Sequence, residues 1–191
     1  WQDVPEEIRN RLNKWEMASY TKRHRPHISD LKKSKRDPEV VCPEYVLLKE
    51  AQALLDKVDH VFLWPCNCRA MVAGCNKPVT TCLRFSNDRE LGWEISKSRA
   101  LNILHEADKA GLMHSAEIGI GADGTIDGAI CNCCADCCFP HQLAEQAGVE
   151  KLWPLTRYIA RRLKERCTTC GRCAKRCPFD AFRIRRAPQK A

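Results

Sequence analysis

The chain has 191 residues, a formal charge of +8 and 44% hydrophobic residues, with only 7% aromatics. That length allows one ordinary domain or two small ones around a modest core. It holds no apolar run of 18 residues and no secretory hydrophobic segment, which excludes a membrane-spanning helix and makes a cytoplasmic location the expectation. It opens at Trp1 rather than Met, so a removed upstream segment stays open. Fourteen cysteines in such a chain point to bound metal rather than disulfides, because a reducing compartment keeps thiols free.

Residues 5–18 predict a first helix. Pro5 suits its first turn, Glu6 and Glu7 suit its dipole, and Ile8, Leu12 and Trp15 make one apolar face. Residues 19–39 are polar and basic, broken by Pro26 and Pro38, and predict a loop or arm. Residues 47–58 predict an amphipathic helix on Leu47, Ala51, Leu54 and Val58, and residues 60–64 (HVFLW) a short strand. Ser96 is placed to cap a helix running to about Ala110, buried along Ala100, Ile103, Leu104 and Ala107 and closed by Gly111. Alternation around Asp123-Gly124 predicts a hairpin over residues 112–131. Residues 139–148 predict a short helix ending at Gly148, and residues 154–166 a connector.

The most specific motif follows: Cys167-x2-Cys170-x2-Cys173-x3-Cys177-Pro178. This spacing wraps three thiolates around one iron–sulfur cube from a tight loop, with Thr168, Thr169 and Gly171 small enough for close backbone approach. Zinc competes poorly, because zinc motifs usually come as two separated cysteine pairs. Here, over residues 165–184, the chain resembles the bacterial-type ferredoxins. The resemblance implies a [4Fe–4S] cluster and electron transfer. No second full run lies close by, so two closures stay open: Cys177 on the same cube, or an upstream cysteine there and Cys177 elsewhere.

Upstream, Cys131, Cys134 and Cys137 repeat the same three-residue step, with Cys133 and Cys138 as extras. His141 stands where a ferredoxin would place its fourth cysteine, and reads as a helix-start residue rather than a ligand. The stretch therefore looks like a degenerate half-motif, completed by Cys177 in exchange for Cys138; a thiol-rich store for zinc or copper is the alternative. A third group, Cys66, Cys68, Cys75 and Cys82, packs four thiols into 17 residues, enough for one more [4Fe–4S] site, with structural zinc as the alternative. Cys42 stands apart and reads as a packed or free thiol. Together the three groups, over residues 60–184, resemble multi-cluster ferredoxin-like proteins, which implies an electron carrier or an electron-entry subunit.

The groups supply thirteen thiols against the twelve that three cubes need. Three cubes of charge −2 would lower +8 to about +2 (8 − 6), so the basic balance is a weak argument for nucleic acid. Arg69, Arg172, Lys175 and Arg176 lie beside expected ligands, where they either raise a cluster's potential or face solvent.

The expected fold class is α+β: a small helix-plus-hairpin module carrying two cysteine groups, followed by a ferredoxin-like cluster-binding part. The expected divisions are residues 1–59, helical and basic; 60–150, cysteine-rich; and 151–191, ferredoxin-like. The functional expectation is a carrier, or a subunit of a larger oxidoreductase, with two or three [4Fe–4S] clusters, in anaerobic metabolism. It passes single electrons between partner redox proteins, a flavoprotein among the candidates. No dinucleotide fingerprint is present, so no flavin or NAD of its own is expected. An iron–sulfur enzyme with an open cluster site is one alternative, though His24, His27, His60, His105 and His114 are scattered. A nucleic-acid-binding regulator is the other, on Lys22, Arg23, Arg25, Lys32, Lys33, Lys35 and Arg36 and the helix–hairpin at 96–131.

Overall fold

The computed structural model describes residues 3–32, 44–87, 90–148, 158, 160–179 and 181–183. These fall in two units, Trp1–Thr156 and Arg157–Ala191. In the first unit the elements in chain order are α1 (Glu6–Lys32), β1 (Glu44–Tyr45), α2 (Leu48–Lys57), β2 (Phe62–Pro65), α3 (Asn67–Val72), β3 (Thr80–Arg84) and β4 (Trp93–Glu94). Then come α4 (Lys97–Lys109), β5 (Met113–Ile120), β6 (Ile126–Cys133) and α5 (Phe139–Ala147). The second unit has a 3-10 turn (Lys164–Arg166) and α6 (Arg172–Arg176). No helix among the described residues is long and apolar enough to cross a membrane.

The mixed α and β composition agrees with the expected α+β class. The hairpin around Asp123-Gly124 forms as expected, with Gly124 at a φ of +82° and β5 paired to β6 from Ile120↔Ile126 to Met113↔Cys133. It is the middle of a larger sheet than the sequence suggested: six antiparallel strands in the order β1-β5-β6-β3-β2-β4.

Period-two alternation gives this sheet two unlike faces. Leu83 of β3, Ala116 of β5 and Ile130 of β6 belong to one buried cluster with Ala51 and Leu55 of α2 and Ala100, Ile103 and Leu104 of α4. Leu55, Leu83, Leu104 and Ile130 are fully buried, each contributing about 1.5–3 kcal/mol. The α4 stripe is the one predicted, and Ser96 caps it by accepting the Arg99 N–H at 3.2 Å. Of the expected α2 stripe, Ala51 and Val58 are buried and Leu54 packs half-buried against the same cluster, which Leu55 joins, while Leu47 is exposed.

The N-terminal expectation needs correction. α1 runs through Pro26 to Lys32, so residues 19–32 are helix rather than a loop; residues 33–39 of the expected arm, and Cys42, lie outside the described residues. Its expected apolar face is exposed, Trp15 at 67%, while Met17 and Ile28 are buried against Phe139, Leu143 and Ala144 of α5. Ile28 lies beyond Pro26. Its packing offsets the hydrogen bond that a proline removes from a helix.

Candidate metal centres

The thiols of the first unit come from strand ends and helix starts. Cys66 caps α3 directly after β2, its N–H donating to the Val79 carbonyl at 2.8 Å. Cys68 lies on α3, and Cys82 sits on β3 opposite Trp64. Cys131 and Cys133 are two apart on β6, opposite Ser115 and Met113, so both face the side of the sheet away from Asn132. Cys138 caps α5.

These six thiols form a ring. Cys66 is in hydrogen-bonding reach of Cys68 and Cys82, Cys82 of Cys131, Cys131 of Cys133, and Cys133 of Cys138. Cys68, at the other end of this run, feels the charge of Cys138. Hydrogen bonds from Cys68 and Cys82 pull the Cys66 thiol well below its ordinary range, while the bond to Cys66, together with burial, pushes Cys68 up. The Arg69 amide donates to Cys66 and the Phe139 amide to Cys68. Arg84 adds positive charge beside Cys131. Tyr20 and Tyr45 line the ring; burial, then nearby thiolates, raises both phenols. The Tyr45 hydroxyl shares a 2.7 Å hydrogen bond with His141 Nε2, and Ser115 Oγ lies 3.7 Å from Cys133 Sγ.

A second, smaller group joins distant loops. Cys75 Sγ is 3.8 Å from Cys134 Sγ and 3.6 Å from Cys137 Sγ. Among the described residues these are the three metal-type donors that all lie within 4.8 Å of one another. The expected three-step half-motif is thus divided: Cys131 joins Cys82 and Cys133, while Cys134 and Cys137 join Cys75.

Arg69 lies between the two groups and is 1% exposed. Its guanidinium donates to the carbonyls of Pro78 and of Asn132, the latter at 2.5 Å, and to Thr81 Oγ1 at 3.2 Å. Asn132 Nδ2 donates to the Thr81 carbonyl at 2.5 Å, and its Oδ1 is 2.6 Å from His114 Nδ1. Burial alone would favour a neutral Arg69; the thiolates of Cys66, Cys134 and Cys75 reverse that and hold the charge. Of the two readings open for this arginine, its burial excludes the one that faces solvent. Thr81 and Asn132 carry no reading from the sequence, and His114 figures there only among the scattered histidines. A polar Asn132 flanked by cysteines inside a strand was the available signal.

In the second unit the loop from Cys167 to Cys177 turns on two left-handed residues, Thr169 (φ +52°) and Gly171 (φ +76°). α6 follows, and the Cys177 N–H donates to the Cys173 carbonyl at 3.1 Å. The Arg172 amide, the Thr168 side chain and the Arg172 charge hold the Cys170 thiol below its usual range. Cys167, Cys170 and Cys173 are exposed, as are Arg172, Lys175 and Arg176. Four thiols on one tight loop, with the Arg172 amide directed at Cys170, fit an iron–sulfur cube.

Residues 162–183 match the family model of the 4Fe-4S binding domain. This segment is a ferredoxin-type [4Fe–4S] domain. No curated protein and no solved structure matches the chain. The match supports a [4Fe–4S] cluster and an iron–sulfur, electron-transfer character for this segment. The thiols of the first unit lie outside the matched segment.

Proposed function

We propose that the chain is an iron–sulfur electron-transfer protein, a ferredoxin-like carrier or the electron-entry subunit of a larger oxidoreductase. Cys167, Cys170, Cys173 and Cys177 hold one [4Fe–4S] cluster. Four of the six ring thiols, Cys66, Cys68, Cys82, Cys131, Cys133 and Cys138, hold a second. A third requires the Cys75 group to take iron as well. The observation that carries this reading is the ring itself: α3, β3, β6 and α5 bring together six thiols, from positions up to 72 residues apart (138 − 66), beside two amide donors.

A bound cube takes up and returns one electron. The chain's own residues do the rest. The amides of Arg69, Phe139 and Arg172 stabilise the thiolates, and Tyr20 and Tyr45 keep water from the ring. Around the C-terminal motif, exposed Arg161, Arg162, Lys164, Arg166, Arg172 and Lys175 suit an acidic redox partner.

Anaerobic coulometric titration of the full chain tests this. Reversible uptake of about two electrons per chain is expected, falling to about one in Cys173→Ala. A chain that takes up none, or whose uptake is unchanged by Cys173→Ala, contradicts the proposal. Electron exchange with an acidic partner is expected to slow as salt is raised, because exposed charges are screened.

A further inference from the structure

We infer that Cys75, Cys134 and Cys137 bind a single zinc ion through three thiolates, with water at the fourth position, separate from the iron–sulfur ligands. Three thiolates on one zinc stand about 2.3 Å from a shared centre, which sets neighbouring sulfurs about 3.8 Å apart in a tetrahedron. Here two of the separations are 3.8 and 3.6 Å, and the third is below 4.8 Å. Thiolates on a cube bond different irons, so no three of them need converge on one centre, as zinc requires. The molecule carries its own comparison: neither the four cysteines of the 4Fe-4S domain nor the six of the ring contain three sulfurs drawn this close together.

Charge points the same way. Zinc with three thiolates carries a net charge of about −1. The Arg69 guanidinium lies beside Cys134 and Cys75 and offsets part of that charge, which it shares with Cys66 of the ring. Among the described residues no further His, Cys, Asp or Glu donor completes the group. Cys134 and Cys137 are buried while Cys75 is half-exposed, so solvent has access from the Cys75 side.

Such an ion would tie the loop between α3 and β3 to the loop between β6 and α5, joining residues 59 and 62 apart in sequence. Metal binding of this kind adds directly to folding stability.

The site stands whether or not the other cysteines carry electrons, so its test reads zinc and iron separately. The probe is zinc itself, supplied during growth of the full chain and retained through anaerobic purification. About one zinc per chain is expected, with zinc-edge absorption showing three sulfur neighbours at about 2.3 Å and one lighter atom. Cys75→Ser is expected to lose the zinc and keep the iron. Absence of zinc from protein that holds its iron, four sulfur neighbours, or loss of about four irons in Cys75→Ser would overturn the assignment. If Cys75→Ser does not fold, the absorption spectrum of the unsubstituted protein decides alone.

Discussion

Arg69→Met is expected to destabilise the first unit by about 3–5 kcal/mol and to strip most of its metal. The side chain is 1% exposed and has no carboxylate partner among the described residues. Its charge is balanced by thiolates of two groups, and its fork holds the carbonyls of Pro78 and Asn132. Methionine fills similar space, so little of the loss comes from packing. The loss comes from the buried Asn132 carbonyl and the partly buried Pro78 carbonyl left without these donors, and from thiolates left without their cation. Arg69→Lys keeps the charge but not the planar fork, and is expected to fall between Met and the parent. Iron and zinc content, with the denaturant midpoint measured without oxygen, check this. Parent-like metal content and midpoint in Arg69→Met would mean that the cation is incidental to the thiols.

Gly128→Ala is expected to cost about 3 kcal/mol or more, because strain and a backbone clash act together. Gly128 has a φ of +134°, and a Cβ there would lie 1.9 Å from the Glu117 carbonyl oxygen of the neighbouring strand. Neither backbone can yield without disturbing the register Ile118↔Gly128, and the Gly128 carbonyl also accepts the Phe85 N–H at 3.0 Å. Three residues on, β6 delivers Cys131 to the ring, so the register of this hairpin sets the position of Cys131 and Cys133. Gly119→Ala is the control: no atom lies within 4 Å of its added Cβ, and a change of a few tenths of a kcal/mol at most is expected. Equal midpoints for the two variants would show that β5 and β6 are not held at this point.

The α4 stripe, the Ser96 cap, the Asp123-Gly124 turn and the Cys167–Cys177 motif were legible because each is a local pattern. Their periodicity, capping or spacing does not depend on the rest of the chain. The N-terminal helix was read too short because Pro26 is a local stop signal, and what outweighs it is the distant packing of Ile28 on α5. The cysteines show the same division. Counting by threes treats Cys131, Cys134 and Cys137 as one loop, but the strand runs through Cys133, so Cys131 and Cys133 share a face by period two. Cys134 then leaves the strand toward Cys75, a neighbour that only the sheet order β6-β3-β2 brings near. Arg69 was open to two readings because burial depends on elements far from it in sequence.

The central claim is that this chain holds iron–sulfur clusters in both of its units. Iron and acid-labile sulfide per chain, measured on anaerobically purified full-length protein, test it most directly. About 8 iron and about 8 sulfide are predicted, one cube on the C-terminal motif and one on the ring. About 4 of each would confine the redox chemistry to residues 162–183, leave the six ring thiols to another use, and contradict the account.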